Sequence, residues 1–380
     1  MQTEVTREQV LVRREESGQL PLLHSVRVQD VLTMRYWDYL AWAVRRARPE
    51  NVLVLGLGGG TVLQLLELWN YTPPCVGVEV DSALIEAARE QGWLTYPHLR
   101  TVIADARTYA LEQTDRFDAV LVDAYDEQGF VQELYSPPLL DRLAGLLTPG
   151  GRLLLHCADP AVKYAAFHLR LPRKPASVTY SVASHLAAAG LTVRIYPLWS
   201  TALVEAISGP QSASQFPADA PLPLQWLDAF FSARGRDLEA FGQFVDPYDG
   251  PYHYAALDQM DKVALFMLAA GAPEALRPHL EQKLRMPLPP AGQVPPAEEL
   301  LDSGWCQVSA GTLQGALTLI GLLEGLDSAA MEQLPALMAA AAQSPNPAVR
   351  MVPSLILART GQWERALATL GAAPGGGTRG

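Results

Sequence analysis

The stretch Val52-Leu53-Val54-Leu55-Gly56-Leu57-Gly58-Gly59-Gly60-Thr61, which runs on into Val62 to Trp69, decides how this chain folds. Four consecutive apolar residues mark a strand covered on both faces, because a strand with one wet face alternates apolar and polar positions. The glycines that follow permit a tight turn and a close approach of backbone to a ligand. Val62 to Trp69 then has the apolar spacing of a helix, whose first turn offers unpaired N–H donors. About 20 residues on, a second apolar run ends in Val78-Glu79-Val80-Asp81, where nucleotide-binding βαβ units place an acid for ribose hydroxyls. Gly56, Gly58, Gly60 and Glu79 are therefore the predicted contacts to a dinucleotide or a sulfonium nucleoside, between which the spacing alone does not choose. A glycine turn also serves bare strand and helix packing, but its place between a strand and a helix, with the acid downstream, favours a ligand.

On the N-terminal side, Leu32, Tyr36, Tyr39, Leu40 and Ala43 recur at helical spacing from Val31 to Ala47, and Pro49 ends the pattern. This predicts a helix that feeds the first core strand; its aromatics Tyr36 and Trp37 either line a pocket or pack in the core, and their helical spacing favours the core. Residues 1–30 carry two β segments, Gln9 to Arg14 and His24 to Val28, around Glu16-Ser17-Gly18, a short hairpin region. On the C-terminal side the apolar runs Val76 to Val80, Thr101 to Ile103, Ala119 to Val122 and Leu153 to His156 alternate with helical stretches. A helix over Ser177 to Ala189 and strands over Thr192 to Pro197 and Ala202 to Ile207 follow. The expected fold over 31–208 is α/β: a doubly wound, mostly parallel seven-stranded sheet, Rossmann-like and of the methyltransferase type.

Residues 209–223 carry Pro, Ser, Gln and Ala without a period and read as a linker. From 224 to 370 the chain is rich in Ala and Leu, broken by Pro and Gly, and predicts a C-terminal all-α domain. Its last hairpin, Val349 to Leu370, is similar to one tetratricopeptide-type unit, although a repeat array needs several such units stacked. The glycine-rich end, 371–380, predicts a disordered tail.

Two further acids stand where ligands gather in open α/β sheets, outside the C-terminal ends of strands. Asp105-Ala106 follows the third strand, where methyltransferase-like folds place an acid beside the adenine amino group. An aspartate there also caps the following helix. The fourth strand delivers Asp123-Ala124-Tyr125-Asp126, then Gly129, then Glu133-Leu134-Tyr135. This block resembles the signature of the polyamine aminopropyltransferases, the spermidine synthases, in which a strand delivers D-x-x-D, a glycine and an E-x-L element before the next helix. Pro138 to Leu147 and the turn Thr148-Pro149-Gly150-Gly151 stand in the family's order too, and the likeness covers about residues 30 to 207.

The resemblance implies a transferase that moves an aminopropyl group from decarboxylated S-adenosylmethionine to a small-molecule amine acceptor, without a metal. It implies Asp123 as catalytic base, Asp126 as second acidic contact to substrate, Glu79 as ribose ligand, and Asp105 with Ala106 at the adenine. The chemistry suits a carboxylate. An alkyl ammonium, with a pKa of ~10, attacks carbon only after losing its proton, and an acid at the strand end both positions it and accepts that proton. The family's first loop reads G-G-G-D-G-G, so Leu57, Gly59 and Thr61 depart from it. The missing aspartate helps to hold the amine of the transferred chain, which leaves ordinary S-adenosylmethionine open as the co-substrate, and with it a methyltransferase. A third reading is a binding or scaffold protein that has lost catalysis. His156 ends the fifth strand, where the family often has Gln, and reads as a structural histidine.

Composition bounds the rest. In 380 residues, 49% are hydrophobic and the formal charge is -11, so a sizeable core is expected and a phosphate backbone is repelled. No nucleic acid and no membrane partner is expected; the longest apolar runs fall short of the ~20 residues a span needs. Cys75, Cys157 and Cys306 form no CxxC pair, and the first residues lack the apolar core of a signal peptide, which points to the cytoplasm. A homodimer, and a C-terminal helical region that contacts itself or another protein, complete the expected partners.

Overall fold

The computed structural model describes residues 2–5, 9–13, 22–126, 129–130, 132–159, 161–166, 174–198, 201–209, 216–217, 219–248, 339, 342 and 350–371. Most of the predicted all-α region, Cys306, much of the linker and all but the first residue of the predicted tail lie outside them.

Three N-terminal strands, β1 (Gln2–Val5), β2 (Gln9–Arg13) and β3 (Leu22–Val26), pair antiparallel in that order. Helix α1 (Tyr36–Ala47) follows, then β4 (Val52–Leu55), α2 (Thr61–Leu68), β5 (Cys75–Glu79), α3 (Ser82–Glu90), β6 (Leu99–Ile103), α4 (Ala106–Glu112) and β7 (Phe117–Val122). Short strands β8 (Tyr125–Asp126) and β9 (Gly129–Phe130) pair with each other. After them come α5 (Pro137–Gly145), β10 (Leu147–Ala158), α6 (Val162–Ala166), β11 (Ala176–Ser177), α7 (Val178–Ala188), β12 (Thr192–Pro197) and β13 (Thr201–Ile207). The remaining described elements are α8 (Leu222–Ser232), α9 (Leu238–Gly242), β14 (Asp246–Pro247), α10 (Val352–Arg359) and α11 (Trp363–Gly371).

The main sheet has seven strands in the order β6-β5-β4-β7-β10-β13-β12. β4, β5, β6, β7 and β10 pair parallel, while β13 runs against both β10 and β12. This is the doubly wound, mostly parallel sheet of the methyltransferase type. The chain moves outward from β4 through β5 to β6, then returns to β7 on the other side. The order therefore reverses between β4 and β7, and α/β sheets of this kind open a ligand crevice at the C-terminal ends of such a pair. Central strands β4 and β7 are buried almost without interruption, as their continuous apolar runs require.

Helices cover both faces. On one, α5, α7 and α9 supply Leu139, Leu143, Val182, Leu186 and Phe241 to a cluster with Leu53, Val120 and Leu153. On the other, α1 and α2 are joined by α8, α10 and α11, so that Trp42, Leu65, Trp226, Phe231, Leu357 and Ala366 share one buried cluster. Polar ties fix this second layer: Trp42 Nε1 donates to Asp228 at 2.8 Å, and Trp226 Nε1 to Ser354 Oγ at 2.9 Å.

Helix α1 starts at Tyr36 rather than Val31. The carboxylate of the buried Asp38 turns back to accept from Thr33 N and Thr33 Oγ1, both at 2.7 Å, and Met34 takes φ 57°, which breaks the helical path. Strand β10 starts at Leu147, ahead of the expected Leu153, because the turn residues Thr148 to Gly151 stay alongside β7 through a register irregularity. The N-terminal region likewise holds a strand, β1, that its short polar sequence does not announce.

Candidate active site

The turn after β4 fits against the end of β7. Gly56 has φ 91°, and a Cβ built there would lie 2.4 Å from the carbonyl oxygen of Asp123, so only glycine brings the two strand ends this close. The loop's amides are then consumed in order. Gly56 N and Leu57 N donate to Val78 O at 3.0 Å each, Gly58 N to Glu79 Oε2 at 2.8 Å, Gly59 N to Ser25 Oγ at 2.9 Å, and Gly60 N to Leu57 O at 3.0 Å. The N-terminal strand holds the loop further along as well. Val26 N donates to Thr61 Oγ1 at 3.1 Å, and that hydroxyl donates to Val26 O at 2.9 Å.

Glu79 is only 8% exposed. Besides Gly58 N, its other oxygen accepts from Val80 N at 2.9 Å and Asp81 N at 3.1 Å. The carboxylate is thus locked to the loop and to its own strand end. Neighbouring carboxylates serve the helices: Asp81 accepts from Leu84 N at 3.0 Å as the N-cap of α3, and Asp105 from Thr108 N at 2.7 Å as the N-cap of α4, whose first residue is Ala106. Asp105 is exposed at the same sheet edge, and its capping bond fixes its side chain there. Two apolar residues beside it, Val80 at 66% and Ile103 at 51% exposure, stand out in a chain that buries most of its aliphatic side chains. Ile103 pairs with Glu79 across β5 and β6, so both flank the ribose-binding candidate.

Asp123 follows β7 and lines a small cleft together with Tyr36, Trp37, Gly56, Gly58, Gly60 and Leu121. Its backbone N–H is held by Leu55 O at 2.9 Å. Its Oδ1 lies 2.7 Å from His156 Nδ1, and the His156 ring stacks on Tyr36 with centroids 4.1 Å apart and planes at 19°. Behind it, Tyr39 meets the same ring edge-on, its phenol pushed above the usual range by burial. Gly56, Gly58, Gly60, Glu79 and Asp123 therefore converge at the strand reversal, with Asp105 and Ala106 two strands away along the same edge. Asp126 belongs to β8, and its side chain lies outside the described residues. Tyr36 and Trp37 line the cleft, and Trp37, 3% exposed, also packs into the second core cluster, as its helical spacing favours. His156 is a buried, hydrogen-bonded histidine, and its partner is the predicted base itself.

Residues 35–204 match the family model described as "Spermine/spermidine synthase domain". Among curated relatives, the polyamine aminopropyltransferase of Pyrobaculum islandicum is 31% identical over 127 residues, covering 30% of this chain and 44% of that protein. Polyamine aminopropyltransferase 1 of Streptomyces coelicolor is 30% identical over 135 residues, 33% of this chain and 25% of the relative. The chain thus spans less than half the length of these relatives. A crystal structure of a probable spermidine synthase from Corynebacterium glutamicum aligns over 66% of this chain and 97% of its own, with 14% identity and a TM-score of 0.43. Spermidine synthase from Thermotoga maritima aligns over 65% and 84%, with 18% identity and a TM-score of 0.39. The fold rests on the strand order of the seven-stranded sheet itself. α8, α10 and α11 lie outside the match. Among the described residues no group of His, Cys, Asp and Glu is placed to hold a metal ion, and no helix is long and apolar enough to cross a membrane.

Proposed function

We propose that this protein transfers an aminopropyl group from decarboxylated S-adenosylmethionine to an amine. One observation carries the reading: Asp123 lines the cleft at the strand reversal, against the glycine turn to which Glu79 is bonded. Glu79 takes the ribose hydroxyls. The adenine lies over the exposed Val80 and Ile103, with Asp105 and Ala106 at its amino edge. The sulfonium carbon then faces Asp123.

In this arrangement Asp123 positions the acceptor's ammonium and removes its proton. The amine nitrogen attacks the carbon next to sulfur in line with the departing C–S bond, whose electron pair neutralises the sulfonium. The products are the extended amine and methylthioadenosine, and Asp123 passes its proton to water. Asp126 is the second acid of the acceptor site in this reading. A cationic acceptor also suits a chain of net charge -11. The buried thiols of Cys75 and Cys157 suit a reducing, cytoplasmic setting.

Ordinary S-adenosylmethionine carries a carboxylate that would need donors beside the sulfonium. The loop amides from Gly56 to Gly60 are already spent on Val78, Glu79, Ser25 and Leu57, which weighs against a methyltransferase. Calorimetry with both nucleosides decides: the decarboxylated form should bind more tightly, and the reverse order would refute the reading. Asp123→Asn should retain nucleoside binding while kcat/KM falls by roughly 10²–10⁴. A chain that binds neither nucleoside is a scaffold.

A further inference from the structure

Resting on Asp123 as the base, we propose that His156 is its positioning residue: Nδ1–H of His156 donates to Oδ1 of Asp123 and so turns the other carboxylate oxygen to the substrate amine. The contact is 2.7 Å, short enough for a charge-assisted bond. An ionised carboxylate only accepts hydrogen bonds, so while Asp123 is ready to act as base the hydrogen between the two sits on Nδ1.

The geometry excludes a direct role for the ring. His156 is 0% exposed, while Asp123 lines the cleft, so the imidazole reaches substrate only through the carboxylate. It is also clamped. Tyr36 stacks on one face at 4.1 Å, Tyr39 meets it edge-on at 6.4 Å, and Tyr135 Oη donates to the His156 carbonyl at 2.6 Å. Asp123 is anchored on its own side by Leu55 O. Two fixed strands thus hold donor and acceptor, and the bond selects one carboxylate rotamer. Tyr36 contributes on both counts, since it packs the ring and lines the cleft.

The consequence for catalysis is orientation. Without the donor, the carboxylate swings about χ2 and presents its oxygens to the amine only part of the time. His156→Phe keeps a ring against Tyr36 but has no N–H, and should lower kcat roughly tenfold to hundredfold with the nucleoside KM unchanged. His156→Gln keeps a side-chain N–H and should recover most of that loss. A purely structural histidine would instead lose stability in both variants and show no such difference in kcat.

A readout that needs no turnover completes the test. In protein labelled with ¹⁵N-histidine, the resonance lost in His156→Gln should be protonated at Nδ1, and it should move in Asp123→Asn. An Nδ1 without hydrogen, in a protein that does transfer aminopropyl groups, overturns the pairing and leaves the reaction standing. A protonated Nδ1 that responds to Asp123→Asn, in a protein that transfers nothing, upholds the pairing and refutes the reaction. Equal kcat for folded His156→Phe and wild type overturns the positioning role.

Discussion

Asp38 should make the protein less stable as pH rises from about 4 to 6, and replacing it with Asn should remove that dependence. The carboxyl is 2% exposed, and burial pushes its pKa from 3.8 up to about 6, against hydrogen bonds from Thr33, Met34 and Arg35 that pull it down. The folded chain thus holds a proton on Asp38 that the unfolded chain releases. With more protons bound in the native state, stability is greatest below pH 4 and falls as pH climbs through about 6. Holding the proton up to about pH 6 rather than 3.8 corresponds to about 3 kcal/mol. Asn at this position keeps an oxygen for Thr33 N and Thr33 Oγ1, and it carries no charge. Urea unfolding followed by tryptophan fluorescence, run on both proteins from pH 4 to 7, isolates the residue because other groups cancel in the difference. The variant should gain about 3 kcal/mol on wild type across that window. A difference that stays flat, or that shrinks with pH, refutes the reasoning. The outcome reaches the site, since Asp38 ties down the segment from Thr33 that sets Tyr36 and Trp37 at the mouth of the cleft.

Gly56→Ala should cost about 2–5 kcal/mol, seen as a fall in Tm, and should lower kcat with it, because the added methyl separates the ends of β4 and β7 and displaces Asp123. Glu79→Ala removes the acceptor of the Gly58, Val80 and Asp81 amides; nucleoside affinity by calorimetry should weaken at least tenfold, about 1.4 kcal/mol, while the sheet's circular dichroism persists. Gly59→Asp, which would restore the family's loop residue, should instead destabilise by about 1–3 kcal/mol, because its Cβ lies 3.0 Å from both Ser25 Cβ and the Trp93 ring; thermal melts check this, and tighter binding of decarboxylated S-adenosylmethionine would contradict it.

The sheet is legible in the sequence because strands buried on both faces are written as unbroken apolar runs. Val52 to Leu55 coincides with β4 residue for residue; the edge strand β12 also matches Thr192 to Pro197, although Arg194 interrupts its apolar run and, like Thr192, is exposed. The glycine turn and Glu79 are legible for the same local reason, since they sit at fixed distances along one βαβ unit. What lies across the sheet is not. His156 and Asp123 are 33 residues apart, and their pairing depends on the register that sets Leu155 opposite Val122, which places the next residue of each strand side by side. Strand patterns give the faces of β7 and β10 but not their offset. Ser25 is hidden more deeply still, because its bond to Gly59 depends on where a separate small sheet docks.

That docking bears on the departure of this loop from the family's pattern. A loop aspartate would need its Cβ in space that Ser25 and Trp93 occupy, and the amide of Gly59 already has the Ser25 hydroxyl as its acceptor. The serine thus supplies the oxygen that satisfies the backbone, without charge. In the proposed reaction the transferred chain's amine meets a cleft lined by Ser25, Thr61, Tyr36 and Trp37, with Asp123 the one carboxylate among the described residues that line it. An ammonium held by aromatic faces gains about 0.5–2 kcal/mol by cation–π attraction, and it keeps part of that on moving along the cleft. A carboxylate fixes it at one point. The site should therefore tolerate variation in the length of the donor's amine arm more than in the placement of the acceptor nitrogen, which Asp123 as the base must bring into line with the sulfonium. Competition by sulfonium nucleosides of graded arm length would show a shallow series in inhibition constants if this holds, and a steep optimum at three carbons if it does not.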